Sequence, residues 1–310
     1  MYLGIDLGGT NLKFGILNKH LDLVFQSTKP TNAKQEPYEL IQFIIKITKH
    51  LLSKHPEIKT IGMGAPGMVS KNGLIRLAPN LEGWQNIDII SQFKKEISLP
   101  FAVDNDSNTA CLAELSLGAG NDIDNFIYIT LGTGVGGTIV INKKIYLGQN
   151  GFAGEIGHSI IDYAAQLDKQ NPYRTGILEE FIGRKQIIDF ANKKMAENPS
   201  SILHTYPKTD PYFVSEAIEK YKDETACSIF EEIGTILGVA LSSLINILDI
   251  PTIVIGGGIS QAHKLLFDTA LNTMQARVIP VLSSDLEIRI ARFTKDAGII
   301  GAALLGKALL

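Results

Sequence analysis

Two glycine-rich turns in this chain contain the residue types that bind phosphate groups. The first follows a short apolar run and spans Asp6 to Thr10, and the second lies between two strand-like segments and spans Gly132 to Gly137. Glycine lets the backbone bend tightly and lets its N–H groups approach phosphate oxygens. A plain hairpin turn is the alternative for each, but the four glycines and one threonine of the second turn exceed what a hairpin needs.

Neither turn has the sequence of the two most familiar phosphate-binding motifs. Neither ends in the Gly-Lys-Ser/Thr of a P-loop, and neither leads directly into a helix as a dinucleotide fingerprint does. A carboxylate at Asp6 could hold a hydrated Mg²⁺ ion beside the phosphates. A third glycine run, Gly256 to Gly258, follows an apolar strand and precedes a helical pattern, which suits the adenosine or phosphate of a nucleotide.

A polar cluster, Asp104 to Asn108, follows a strand that lies between the first two turns. Helix capping is the plain explanation, because Asp, Asn and Ser are the preferred N-cap residues. Five polar residues are more than a cap requires. A carboxylate here could accept the proton of a hydroxyl that attacks phosphorus, which is the base that phosphoryl transfer needs.

Glu155 and His158 form a second polar pair, separated by two residues and flanked by glycines. A carboxylate and an imidazole can each accept a hydrogen bond from a hydroxyl group, so the pair suits a ligand with several hydroxyls. A lone histidine is more often a structural residue. No cysteine follows nearby in sequence, so a metal site is poorly supported.

Together these segments resemble the ROK family (repressor, open reading frame, kinase) of the actin-like sugar kinase superfamily over nearly the whole chain. Gly64-Ala65-Pro66-Gly67 is similar to the Gly-x-Pro-Gly loop of that family, and Gly154 to His158 matches its Gly-Glu-x-Gly-His signature. Gly176 to Glu179 resembles a segment whose glutamate contacts sugar, although the local sequence alone would make Glu179 an exposed helix residue.

The resemblance implies a role for each of these residues. ATP and its phosphates are expected at Asp6, Gly8, Gly9, Thr10, Gly132, Thr133, Gly134, Gly136, Gly257 and Gly258. A hexose is expected at Gly67, Asn105, Asp106, Glu155, His158 and Glu179. Asp106 would be the general base, and Asp6 would hold Mg²⁺ through water.

The expected fold is α/β, of the two-lobed actin-like ATPase (ribonuclease H-like) class with a central cleft. A length of 310 residues suits two α/β lobes, and the two halves repeat a strand, a glycine turn, further strands and then helices. We predict a small lobe at 1–117, with the closing helix 295–310 packing back on it, and a large lobe at 118–294. The side chains that would then converge on one ligand are those of Asn105, Asp106, Glu155, His158 and Glu179.

Two features depart from the family pattern. Residues 159–175 contain none of the cysteines that usually bind zinc there, and Cys111 and Cys227 lie far from His158 in sequence. Zinc is therefore expected to be absent. The resemblance includes family members without zinc, and some of these use polyphosphate as the phosphoryl donor. The chain also begins at its first strand, so the N-terminal helix-turn-helix of the repressor members is not expected.

Composition argues against several other classes of protein. The formal net charge of −3 gives no general attraction to nucleic acid or to an anionic membrane. The first residues lack the features of a signal peptide, and the apolar run 236–247 is interrupted by polar residues and glycine, so a buried core helix is expected there. A cytoplasmic location follows by default.

The leading functional hypothesis is an ATP-dependent kinase that phosphorylates the 6-hydroxyl of a hexose, with glucose as the first candidate. Alternatives are a kinase for mannose, fructose, N-acetylglucosamine or another N-acetylhexosamine, and a glucokinase that uses polyphosphate. A sugar-sensing regulator without catalysis is the alternative from another class. The resemblance also makes a homodimer plausible.

Overall fold

The structure, a computed structural model, describes all residues 1–310 and is a mixture of strands and helices. The thirteen strands are β1 (Tyr2–Leu7), β2 (Asn11–Leu17), β3 (Leu23–Pro30), β4 (Thr60–Ala65), β5 (Met68–Val69), β6 (Ile75–Leu77), β7 (Gln85–Ile87), β8 (Phe101–Asn105), β9 (Phe126–Leu131), β10 (Val135–Ile141), β11 (Lys144–Ile145), β12 (Thr252–Gly256) and β13 (Glu287–Ile290). The nine α-helices are α1 (Pro37–Lys54), α2 (Ile89–Glu96), α3 (Asp106–Leu117), α4 (Glu179–Ile182), α5 (Arg184–Glu197), α6 (Pro211–Tyr221), α7 (Glu224–Leu248), α8 (Leu265–Arg277) and α9 (Ala297–Lys307).

The chain divides into two compact units, each formed from segments that are separated in sequence. The first unit comprises Met1–Asp124, Lys143–Gly154 and Lys295–Leu310. The second comprises Asn125–Asn142 and Glu155–Thr294. Each unit has its own hydrophobic core around its own sheet.

The sheet of the first unit has the strand order β3-β2-β1-β4-β8. β1, β2 and β3 are antiparallel, whereas β1 pairs with β4 and β4 with β8 in parallel. Parallel strands end at the same edge of a sheet, and here Asp6 is in register with Gly64 and Ala65 with Asn105. The first glycine turn, the Gly64–Gly67 loop and the 104–108 cluster therefore emerge at one edge.

Helix α9 packs directly against the backbone of this sheet. A Cβ atom at Gly4 would overlap the carbonyl oxygen of Ile299, and one at Gly62 would overlap that of Ala302. Only glycine permits so close an approach between a helix and a strand. The last helix is therefore part of the first unit, where it covers β1 and β4.

The sheet of the second unit contains β10, β9, β12 and β13 in that order. β9 and β12 are parallel, with Gly256 in register with Thr130. The Gly132–Gly137 turn and the Gly256–Gly258 turn consequently leave this sheet at one edge, as the phosphate interpretation of both turns requires.

Helix α7 is long and apolar enough to cross a membrane when judged by length and composition alone. In the structure, 56% of its apolar window is buried inside the protein, and α7 packs against α8. The sequence predicted a buried core helix only over 236–247, whereas α7 begins at Glu224. The first half of α7 is more polar and does not belong to the apolar run. The burial is that of a core helix in the second unit.

Candidate active site

The first glycine turn places a carboxylate and an ammonium group side by side. Asp6 and Lys13 are register partners across the β1–β2 hairpin, and Lys13 Nζ lies 3.5 Å from Asp6 Oδ2. Lys13 Nζ also donates a hydrogen bond to the carbonyl oxygen of Lys295 at 3.0 Å. Burial raises the pKa of the Asp6 carboxyl, and Lys13 partly offsets that effect. Sequence reasoning missed Lys13, although the symmetry of a hairpin about Gly9 and Thr10 would have placed it opposite Asp6.

Asn105 makes hydrogen bonds with both ends of its side-chain amide. Its Oδ1 caps α3 by accepting from the N–H groups of Ser107 at 2.8 Å and Asn108 at 3.1 Å. Its Nδ2 donates to the carbonyl oxygen of Gly67 at 2.8 Å. Capping and substrate positioning are therefore compatible, because one N–H of the Asn105 amide remains for a ligand.

Asp106 is the first residue of α3 and is partly buried. Its Oδ1 accepts from the N–H of Ser107 at 2.8 Å. Gly67, which meets Asn105, has a φ of +83°, and a Cβ atom there would overlap the carbonyl oxygen of Leu77. The first unit thus brings Gly67, Asn105 and Asp106 together at the sheet edge that also carries the first glycine turn.

Glu155 and His158 lie next to each other in the second unit. His158 Nδ1 is 3.6 Å from Glu155 Oε2, and this buried nitrogen has no hydrogen-bond partner. Although 39% of the Glu155 side chain is exposed, desolvation raises its pKa; His158 lowers that pKa and the charge of Glu179 raises it. The three side chains Glu155, His158 and Glu179 are therefore close enough to influence one another.

Glu179 is not the solvent-exposed helix residue that its local sequence favours, since only 20% of its side chain is accessible. Its Oε2 accepts from the N–H of Val135 at 2.8 Å, and its Oε1 accepts from Arg174 Nη2 at 2.7 Å. Sequence reasoning missed Arg174, which has no motif to mark it. Its position five residues before a glutamate pair is the only local signal.

The second glycine turn is held by the segment that starts α4 and α5. The N–H of Gly132 donates to the carbonyl oxygen of Gly134 at 3.0 Å, and the N–H of Arg184 donates to that of Gly132 at 3.1 Å. Thr133 is exposed at the tip of the turn, and Gly134 and Gly136 are partly exposed. The turn therefore presents accessible backbone at its tip, although the Glu179 carboxylate lies against Gly134.

The third glycine run differs in one respect from the sequence prediction. Gly257 has a φ of +82°, and the element that follows is a four-residue 3-10 helix, Gly258–Gln261, rather than a long helix. The long helix α8 begins only at Leu265, and its N-cap is Lys264 rather than Gly257. Gly258 is exposed, with open space where a Cβ atom would lie.

Metal ligands are sparse in this arrangement. No group of three or more His, Cys, Asp or Glu side chains is placed to hold a metal ion. Cys111 is buried and free, and Cys227 is free. Asp6 alone fits a magnesium ion held through water, because one carboxylate with phosphate oxygens is the usual protein contribution to such a site. The absence of zinc stays a prediction.

Comparisons with known proteins bear on the fold and on the family of the chain. The family model of the ROK family matches residues 2–308. A glucokinase of Halalkalibacterium halodurans is 35% identical over 99% of this chain and 94% of its own length. A ROK family glucokinase from Streptomyces griseus, solved in complex with glucose and AMPPNP, is 25% identical, superimposes with a TM-score of 0.83 and matches 99% of each chain. A xylose repressor of Caldicellulosiruptor bescii is 26% identical over 96% of this chain and 76% of its own.

The fold is that of the actin-like ATPases, which confirms the predicted fold class. The chain belongs to the ROK family, as the resemblance of its motifs implied. The relatives include both kinases and repressors, so family membership alone does not select the activity.

Proposed function

We propose that this protein transfers the γ-phosphoryl group of ATP to the 6-hydroxyl of a hexose, with glucose as the leading substrate. The observation that carries the proposal is the position of Asp106, beside Asn105 and Gly67, at the sheet edge that also carries the first glycine turn. The 35% identity to a glucokinase over nearly the full chain supports it. A regulator without catalysis would use this carboxylate only as an acceptor for a sugar hydroxyl, and not as a general base.

In the proposed reaction, the Asp106 carboxylate accepts the proton of the sugar 6-hydroxyl. The hydroxyl oxygen forms a bond to the γ-phosphorus, the bond from that phosphorus to the bridging oxygen breaks, and ADP leaves with the electron pair. Asn105, Glu155, His158 and Glu179 would pair with the other hydroxyls of the sugar, because each hydroxyl needs a partner once it is buried.

The phosphate chain would be held by the backbone of the three glycine turns, and Lys13 adds a cation near the first of them. Magnesium, held by Asp6 through water, would neutralise charge on the phosphates. We also propose a cytoplasmic location and a homodimer, and sedimentation tests the dimer.

The decisive experiment is steady-state kinetics with a panel of hexoses and N-acetylhexosamines, using ATP and polyphosphate as donors. We expect the highest kcat/KM with glucose and ATP. Asp106→Asn should lower kcat by about 10²–10⁴-fold, the usual effect of removing a positioned base, while the protein stays folded. A folded Asp106→Asn variant with normal turnover would show that Asp106 is not the base.

The second candidate is a sugar-responsive regulator, which the 26% identity to a xylose repressor favours. Such a protein would bind sugar and release no ADP. Calorimetric titration with sugar, run alongside a coupled ADP-release assay, separates the two functions. Binding without turnover for every sugar and donor would favour the regulator.

A further inference from the structure

Arg174 connects two neighbouring carboxylates of the second unit. Its Nη2 donates to Glu179 Oε1 at 2.7 Å, and its Nε donates to Glu180 Oε1 at 2.9 Å. Nη2 forms a further short hydrogen bond with Glu180. The planar guanidinium can satisfy both carboxylates at once, which a lysine ammonium on a flexible stem cannot do with the same geometry.

The second oxygen of Glu179 holds the backbone of the second glycine turn. Oε2 accepts from the N–H of Val135 at 2.8 Å, the first residue of β10. A Cβ atom at Gly134 would overlap this same oxygen, so the carboxylate lies directly against the turn. Glu179 therefore bridges Arg174 and the turn, one oxygen to each.

Arg174 is itself held by the segment that carries it. It ends a 3-10 helix, Pro172–Arg174. Two residues later, Gly176 has a φ of +69°. The carbonyl oxygen of Gly176 accepts from the N–H groups of Ile161 and Asp162, and Ile160 pairs with Ile177 in an isolated bridge. This pairing closes residues 160–177 into a loop that presents Arg174 to Glu179.

Glu180 is anchored from the other side. Its Oε2 accepts from Gln186 Nε2, at 3.2 Å, in the first turns of α5. The glutamate pair is therefore held between the loop and α5. The guanidinium offsets the repulsion that the neighbouring carboxylates of Glu179 and Glu180 would otherwise exert on each other.

We propose that Arg174 is a positioning residue, which fixes Glu179 so that a single carboxylate faces the sugar and also holds the phosphate-binding turn. The part that concerns sugar rests on the proposed function; the part that concerns the turn does not. Without Arg174, Glu179 loses its orienting partner and releases the N–H of Val135. The affinity for sugar and the order of the glycine turn are then linked through one side chain.

Amide hydrogen exchange tests the link without any substrate. In Arg174→Gln, the amide of Val135, followed in peptides that span 132–137, should exchange about tenfold faster than in the wild type, because a charge-assisted bond is lost. Arg289→Gln is the matched control, since Arg289 pairs with Glu287 at 2.9 Å on β13 of the same unit and is 30% exposed against 35% for Arg174. Equal exchange at Val135 in the wild type and in Arg174→Gln would overturn the proposal.

Kinetics test the consequence for sugar. Arg174→Gln should raise KM for glucose about tenfold with a much smaller effect on kcat, and Arg174→Lys should restore part of the loss. In a Glu179→Gln background, Arg174→Gln should add almost nothing to KM, because its effect passes through Glu179. Independent, additive effects of the two substitutions would contradict the proposal.

Thermal melting accompanies every variant. If Arg174→Gln does not fold, Arg174→Lys takes its place. An exchange rate at Val135 that lies between the rates of the wild type and of Glu179→Gln supports the link. The wild-type rate in Arg174→Lys overturns it. If the wild type phosphorylates no sugar, the proposed function fails. The exchange result still decides whether Arg174 positions Glu179 on the turn.

Discussion

The Nδ2 of Asn105 donates a hydrogen bond to the carbonyl oxygen of Gly67 at 2.8 Å. This bond joins the end of β8 to the loop that follows β4, where both strands reach the same sheet edge. Because Oδ1 of Asn105 caps α3, the amide is bound on both sides and only one N–H remains for a ligand. The orientation of Asn105 is thus set by the protein before any substrate binds.

Two substitutions at Asn105 should separate capping from substrate positioning. Asn105→Ser keeps a good N-cap but is too short to donate to Gly67, so we expect the melting temperature to fall less than in Asn105→Ala and the KM for sugar to rise about tenfold. Asn105→Ala also removes the cap and should lower stability by about 1 kcal/mol, or about 2–4 °C in melting temperature. Equal melting temperatures for the two variants would contradict the capping role.

Glu155→Gln should raise KM for sugar about tenfold and leave KM for ATP nearly unchanged. A neutral amide is a weaker acceptor for a sugar hydroxyl than a carboxylate is. Glu197→Gln, at the exposed end of α5, is the control. The assay is initial-rate kinetics with each substrate varied in turn, and a parallel rise in both KM values would argue against a sugar contact.

Asp6→Asn should make stability less dependent on pH. The pKa of Asp6 in the folded protein is raised by burial, so the stability it contributes is present below its unfolded pKa of 3.8 and is lost as pH rises through the folded pKa. Relative to the wild type, the variant should therefore gain melting temperature between pH 4 and pH 7, despite losing the charge partner of Lys13. Scanning calorimetry over that range measures the melting temperatures of both proteins. A variant whose melting temperature falls further below that of the wild type as pH rises would refute the prediction.

Gly134→Ala and Gly132→Ala form a matched pair within one turn. A Cβ atom at Gly134 would displace the Glu179 carboxylate, whereas one at Gly132 meets no atom within 4 Å. We expect Gly134→Ala to lower the melting temperature by about 2–4 °C, the effect of losing about one hydrogen bond, and Gly132→Ala to leave it unchanged. Thermal melting of the two ligand-free variants is sufficient, and identical melting temperatures would count against the close contact.

The protein is predicted to contain no zinc. A tetrahedral zinc site needs about four thiolate, imidazole or carboxylate ligands, and Cys111 is buried while residues 159–175 have no cysteine. Elemental analysis after chelator treatment should find far less than one zinc ion per chain. A stoichiometric zinc ion that resists the chelator would disprove the prediction.

The local sequence was informative wherever function depends on backbone shape. Glycines at 8, 9, 132, 134 and 256–258 mark the turns, and apolar runs place those turns at strand ends. Asp6 lies in β1, one residue before its end, and Asp106 directly follows β8, so each side chain comes at the end of a strand that an apolar run marks. The family and the fold class followed from the order of such segments.

Tertiary structure alone decided which side chains meet. Arg174 reaches Glu179 because the loop 160–177 closes on itself through Ile160 and Ile177, a pairing that periodicity does not predict. Glu179 is held against Val135, 44 residues away in sequence, although its neighbours suggest an exposed helix. Contacts over such separations depend on how the strands and loops pack, whereas turns and strand ends depend on a few adjacent residues. The sequence by itself therefore determined where the turns lie and which family they define, and packing determined how each carboxylate is oriented.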